Sequence, residues 1–118
     1  MSSPDLTDAE RQAVMGVLQT PHLSMGKQIV AFEAAMAEFC GARHAIGVRS
    51  STAGLHLCVR AAGIGPGDLV ITTPFSFVAS TNVLLFEQAV PVFGDVDPLT
   101  GNIDPELAAQ AAHDLARG

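Results

Sequence analysis

The sequence predicts an α/β fold with a mostly parallel sheet. Three short apolar segments, residues 44–48, 69–73 and 89–93, are bounded by turn-forming residues and recur at spacings of about 20 to 25 residues. Helical patterns separate them, and such alternation is typical of parallel strands covered by helices. Hydrophobic residues make up 48% of the 118 residues and charged residues 15%, a composition that excludes a disordered chain.

Two helices are predicted before the first strand. Thr7 and Glu10 have the spacing of a capping box, which indicates a helix over about 8–19. A second helix over about 27–39 carries an apolar stripe at helical spacing. The stripe consists of Ile29, Phe32, Met36 and Phe39. We therefore interpret residues 1–42 as an N-terminal helical segment.

Residues 43–118 are interpreted as the first strand–helix units of one incomplete domain. Helices are predicted over about 52–62 and 77–87. Asp104 and Pro105 are expected to open a last helix as its cap and its first residue. Three residues of the helix over 77–87 are predicted to face the core: Val78, Leu84 and Leu85.

Charge and composition exclude several classes of protein. Twelve acidic and six basic residues give a net charge of −6, and the basic residues are scattered, so no nucleic-acid partner is expected. The apolar runs are too short for a membrane span, and the N-terminus lacks the pattern of a secretory signal. A cytoplasmic protein is predicted. Cys40 and Cys58 stand singly in apolar surroundings and are expected to be buried thiols.

The first candidate site is the junction between the first strand and the helix over 52–62. Ser50, Ser51 and Thr52 arrive where the helix begins. Free N–H groups and the helix dipole favour an anion there, and hydroxyls add donors, so a phosphate is the natural ligand. The alternative is N-capping by Ser50 or Ser51 without any ligand.

The second candidate site follows the second strand. Phe75 and Phe77 lie at its carboxyl end, where ligands bind in open α/β sheets. A ring there could stack on a planar ligand, or both rings could belong to the core. Asp95 and Asp97 could bind a metal, but Asp is also a common loop former, and the turn interpretation is favoured. The glycines of residues 63–68 are interpreted as a turn because they precede a strand.

These segments together resemble the N-terminal part of the DegT/StrS-type sugar aminotransferases. Five segments of the chain match this family's motifs in order, and any one alone is weak. The segments are 26–33, 50–57, 63–68, 73–80 and 91–97. The resemblance implies the large domain of the aspartate-aminotransferase fold (fold type I), here as a partial three-layer α/β structure.

The resemblance also implies a cofactor, pyridoxal 5′-phosphate. Ser51, Thr52 and Ala53 would hold its phosphate, and Phe77 would stack on its pyridine ring. Ser51 departs from the family pattern, because many members have Gly there. The parent enzyme would be a homodimeric transferase that moves an amine from an amino-acid donor to a keto-sugar nucleotide.

The resemblance leaves the catalytic group outside this sequence. Family chains are longer, and the lysine that binds their cofactor covalently lies further on. Lys27 is the only lysine here, and it belongs to a different family segment, so no catalytic residue is assigned. The chain is interpreted as an inactive fragment of an aminotransferase. Two alternatives remain open: a family sugar dehydratase, and a non-catalytic oligomerising or ligand-binding protein that keeps a phosphate cradle.

Overall fold

The computed structural model describes residues 3–117, and the chain divides into two compact units after Gly47. The N-terminal unit contains the helices α1 (Asp8–Leu18) and α2 (Lys27–Cys40). The capping box of α1 is confirmed: the Thr7 N–H donates to Glu10 Oε2 at 2.6 Å, and the Ala9 N–H donates to Thr7 Oγ1 at 3.3 Å. Both helices agree with the sequence pattern.

The predicted strand over residues 44–48 is not formed. A strand requires a neighbouring strand to accept and donate its ladder hydrogen bonds, and no strand lies beside this segment within residues 3–117. Gly47 instead donates its N–H to Glu33 Oε1 on α2, at 2.8 Å. A Cβ at Gly47 would clash with the Ile29 side chain, so glycine allows the segment to approach α2 closely.

The C-terminal unit begins at Val48 and has the predicted alternation of helices and strands. Two strands pair in parallel, with Leu69 opposite Val90 and Thr72 opposite Phe93. Pro91 is accommodated within this pair. The α/β prediction with parallel strands is therefore confirmed. The elements in chain order are α3 (Ser51–Ala61), β1 (Leu69–Thr72), α4 (Ala79–Phe86), β2 (Val90–Phe93) and α5 (Pro105–Arg117).

A small core lies between α3, α4 and the sheet. Its buried residues are Val59, Val83, Leu84 and Ala89. Leu84 is therefore correctly predicted, but Leu85 is wrong because it is 53% exposed. Consecutive helix residues are rotated by about 100°, so burial of Val83 and Leu84 turns Leu85 outward. Val78 is also exposed, because α4 begins two residues later than predicted and Val78 is its cap.

Both cysteines are exposed, which corrects the prediction that they are buried. In α3 only Val59 is fully buried, so the neighbouring Cys58 turns away from the core by the same helical rotation. In the N-terminal unit, no residue of α2 is fully buried. Cys40 is the last residue of α2. The apolar stripe of α2 is likewise largely exposed, with Phe39 at 86%.

The turn over residues 63–68 is confirmed. Gly65 donates its N–H to Asp68 Oδ2 at 2.8 Å, and Gly63 and Gly67 have φ of 77° and 84°, which favours glycine at both positions. Among residues 3–117, no helix is long and apolar enough to cross a bilayer.

Candidate functional site

The N-terminus of α3 has one capping hydrogen bond and leaves two donors without a helical acceptor. Ser50 is the cap: its Oγ accepts from the Ala53 N–H at 3.2 Å, and its carbonyl oxygen accepts from the Gly54 N–H at 3.1 Å. The capping role of Ser50 is thus confirmed. The first N–H groups of a helix have no acceptor within that helix. The Ser50 cap satisfies the Ala53 N–H and leaves the N–H groups of Ser51 and Thr52 available to a ligand.

The groups around these donors favour an anion. Ser51 is exposed, and Thr52 and Ala53 are half-buried. The first turn of α3 contains no acidic residue, so nothing there opposes the positive end of the helix dipole. Two N–H groups and two hydroxyls can therefore donate to the oxygens of one phosphate.

Phe77 lies in the loop between β1 and α4, and its side chain is 76% exposed. Phe75 is also exposed, so the interpretation of the two rings as core residues is wrong for the described chain. The backbone beside Phe77 is held, because its carbonyl oxygen accepts from the Ser80 N–H at 3.0 Å. The hydroxyl groups of Ser76 and Ser80 form a hydrogen bond, with their oxygens 2.9 Å apart. The loop thus presents an accessible ring on a fixed turn.

The loop connections bring the two candidate segments to the same edge of the C-terminal unit. The turn after α3 is joined to the turn after α4, because the Gly67 N–H donates to the Gln88 carbonyl oxygen at 3.1 Å. The helices α3 and α4 pack against each other, so with adjacent carboxyl ends they run in the same direction. Their N-termini, one beginning at Ser51 and the other preceded by Phe77, therefore lie at the edge where β1 ends.

A polar contact between α3 and α4 was not predicted from the sequence. His56 Nε2 lies 2.5 Å from Glu87 Oε1, and both side chains are partly buried. The His56 ring also meets the edge of Phe86, with centroids 5.3 Å apart. Thirty-one positions separate His56 from Glu87, so no local pattern pairs them. The one local indication that His56 lies near the candidate site is its position one helical turn after Thr52.

The Asp97 side chain closes a turn, as the sequence analysis favoured. Its Oδ1 accepts from the Thr100 N–H at 2.7 Å and the Leu99 N–H at 2.9 Å. The hydrogen bond from the Thr100 backbone is the main cause of a lowered pKa for Asp97, with the Thr100 side chain and the Leu99 backbone contributing. Across residues 3–117, no group of three side chains could hold a metal ion.

This α/β unit has a helix N-terminus that suits a phosphate and an exposed aromatic ring. Such a combination fits enzymes whose cofactor carries both a phosphate and a planar ring. Residues 4–116 match the model of the DegT/DnrJ/EryC1/StrS aminotransferase family. The chain belongs to this family. Its α/β architecture with a small parallel sheet is the N-terminal part of the fold-type I large domain, as the resemblance implied.

Three relatives show the extent of the similarity. The spore coat polysaccharide biosynthesis protein SpsC of Bacillus subtilis is 45% identical over 88% of this chain and 27% of its own length. GDP-perosamine synthase of Caulobacter vibrioides is 42% identical over 88% of this chain and 28% of its own. The structure of Spr1654 of Streptococcus pneumoniae in a PLP form is 31% identical with a TM-score of 0.89, covering 93% of this chain and 28% of that one.

The chain therefore spans less than a third of the length of these relatives. Members of the family are in general dependent on pyridoxal 5′-phosphate (PLP). The residues present fit such a group, since the start of α3 offers donors without competing acid and Phe77 offers an uncovered aromatic face. The roles of Ser51, Thr52, Ala53 and Phe77 remain predictions.

Proposed function

We propose that this chain forms the phosphate and ring cradle of a PLP-dependent aminotransferase that acts on a keto-sugar nucleotide with an amino-acid donor. The proposal is supported by the packing of α3 against α4 and the hydrogen bond between the turns that follow them, from which we infer that the start of α3 and the exposed Phe77 ring lie at the same end of the C-terminal unit. The similarity to GDP-perosamine synthase supports a sugar substrate. The active protein is proposed to be a cytoplasmic homodimer.

Each residue of the cradle has a separate task. The N–H groups and hydroxyls of Ser51 and Thr52 donate to the phosphate oxygens, and Ala53 keeps the first turn narrow enough for the phosphate to approach the backbone. Phe77 stacks on the pyridine ring and shields that face from water. When bound, PLP supplies the electron sink for moving an amine.

Binding of pyridoxine 5′-phosphate tests the cradle without aldehyde chemistry. Pyridoxine fluorescence would report the dissociation constant for the 118-residue chain. Thr52→Val should weaken binding about tenfold, by the loss of one hydrogen bond to a charged group, and should leave binding of pyridoxine unchanged. Thr20→Val is the matched control, because its hydroxyl donates only to the Val17 carbonyl oxygen in the N-terminal unit. Equal binding by wild type and Thr52→Val would contradict the phosphate site.

Borohydride reduction after incubation with PLP tests whether the chain alone performs covalent chemistry. Lys27 is the only lysine and is the first residue of α2. We propose that it is not the cofactor-binding lysine, so no reduced adduct should form on it above the level of a denatured control. A stoichiometric adduct on Lys27, located by peptide mass spectrometry, would overturn that assignment.

A further inference from the structure

His56 and Glu87 join the two helices that carry the proposed cradle. Their contact of 2.5 Å is between side chains that are 30% and 20% exposed, so it is largely shielded from water. Arg60 adds a weaker contact, with its Nε 3.7 Å from the same Glu87 oxygen. The Phe86 ring packs against His56 edge-on. The end of α4 therefore holds His56 through two consecutive residues.

Apolar contacts also join α3 to α4. Val59 packs in one cluster with Val83 and Leu84, and such contacts have little directional preference, so they tolerate small shifts of one helix along the other. A hydrogen bond depends steeply on distance and angle. The contact of His56 with Glu87 is therefore a directional side-chain link between α3 and the end of α4, and it fixes their register together with the backbone hydrogen bond from Gly67 to Gln88.

This register determines where the two halves of the cradle lie. Thr52 is one turn before His56 and shares its face of α3. The Phe77 carbonyl oxygen is bonded to the first turn of α4, the helix that ends beside Glu87. A shift of α3 along α4 would change the separation of the phosphate donors from the ring of Phe77.

We infer that His56 and Glu87 are positioning residues that set the spacing between the phosphate donors of α3 and the Phe77 ring. This inference rests on the proposed function. A ligand with a phosphate and a pyridine ring gains affinity by binding at both points only if their spacing matches. Loss of the contact between His56 and Glu87 should therefore weaken the binding of a ligand that occupies both points. It should leave unchanged the binding of a ligand that occupies only one of them.

Three probes separate positioning from simple stability. Pyridoxine 5′-phosphate spans both points, pyridoxine reports the ring half, and inorganic phosphate reports the donors. His56→Leu in the 118-residue chain should weaken binding of pyridoxine 5′-phosphate about tenfold, with the binding of the two half-probes unchanged. His56→Gln keeps a donor for Glu87 and should restore the affinity to within about threefold of wild type. His113→Leu, an exposed histidine of α5, is the matched control.

The outcomes are distinguishable. Unchanged affinity of His56→Leu for pyridoxine 5′-phosphate overturns the inference, and so does an equal loss for all three probes, which would indicate general destabilisation. If His56→Leu fails to fold, Glu87→Ala decides, because it removes the same contact from the other side: a loss of about tenfold confined to pyridoxine 5′-phosphate supports the inference, and unchanged affinity overturns it. If Thr52→Val and Phe77→Ala both bind as wild type, the proposed function itself fails.

Discussion

At the scale of single residues, the exposure of Phe77 separates its contribution to binding from its contribution to folding. We expect Phe77→Ala to weaken the binding of pyridoxine 5′-phosphate by about 1–3 kcal/mol, because the ring loses its stacking partner and its apolar cover. The free energy of unfolding should change by less than about 0.5 kcal/mol, as for other surface substitutions. Phe39→Ala, at a similarly exposed ring of α2, should change neither quantity. Lowered stability with unchanged binding would make Phe77 a structural residue.

Gly101 is a position where the backbone, rather than a contact, requires glycine. Its φ is +71°, and a Cβ there would lie 3.4 Å from Phe75 Cε1. We expect Gly101→Ala to lower the free energy of unfolding by about 1–2 kcal/mol, the cost of a left-handed conformation for an L-residue. Gly65→Ala is the matched control, because its Cβ would meet no described atom within 4 Å, and it should be neutral or stabilising by less than about 1 kcal/mol. Chemical denaturation of both variants would measure the difference.

At the scale of elements, two adjacent leucines of α4 give the sharpest test of the core. Leu84 is 3% exposed and Leu85 is 53% exposed. Leu84→Ala should lower the free energy of unfolding by about 2–5 kcal/mol, since it removes buried methyl groups and leaves a cavity. Leu85→Ala should cost less than about 0.5 kcal/mol. Similar losses in both variants would contradict the orientation of α4.

The sequence patterns predict most elements of this chain because the signals are local. The capping box of α1, the cap of α5 by Asp104 and the strands β1 and β2 all follow from nearby residues. The segment 44–48 is also apolar, but no strand lies beside it within residues 3–117, whereas β1 and β2 pair with each other; the local sequence does not indicate which segments find a partner. For the same reason, periodicity identifies the stripe of α2 as apolar without saying what covers it.

In the candidate site, too, local sequence patterns indicate some residues and miss those that depend on tertiary packing. Ser51 and Thr52 are candidates because a run of hydroxyls meets the start of a helix, whereas Ala53 is added only by the family resemblance. Phe77 is a candidate because it follows a strand, but its stacking role is implied only by the resemblance. The contact of His56 with Glu87 could not be predicted, because it depends on the packing of two helices.

At the scale of the whole molecule, local hydrogen bonds lower the pKa of a carboxylate in each unit of the described chain. In the N-terminal unit the Thr7 side chain is the main cause for Glu10, followed by backbone hydrogen bonds. In the C-terminal unit the Thr100 backbone is the main cause for Asp97. A pKa that is lower in the folded state stabilises that state above the unfolded pKa, and the stabilisation is lost as the pH falls through the folded pKa.

The free energy of unfolding should therefore decrease with falling pH below about 4.5 for the contribution of Glu10 and below about 3.8 for that of Asp97, their ordinary values. Glu10→Gln and Asp97→Asn should each reduce this slope, since neither replacement changes charge in this range. Glu38→Gln, on the exposed surface of α2, is the control of the same chemistry. Denaturant titrations at a series of acidic pH values would measure the slopes. An unaltered slope in Glu10→Gln would mean that Thr7 caps α1 equally well with the protonated acid, and the electrostatic part of the capping box would then be absent.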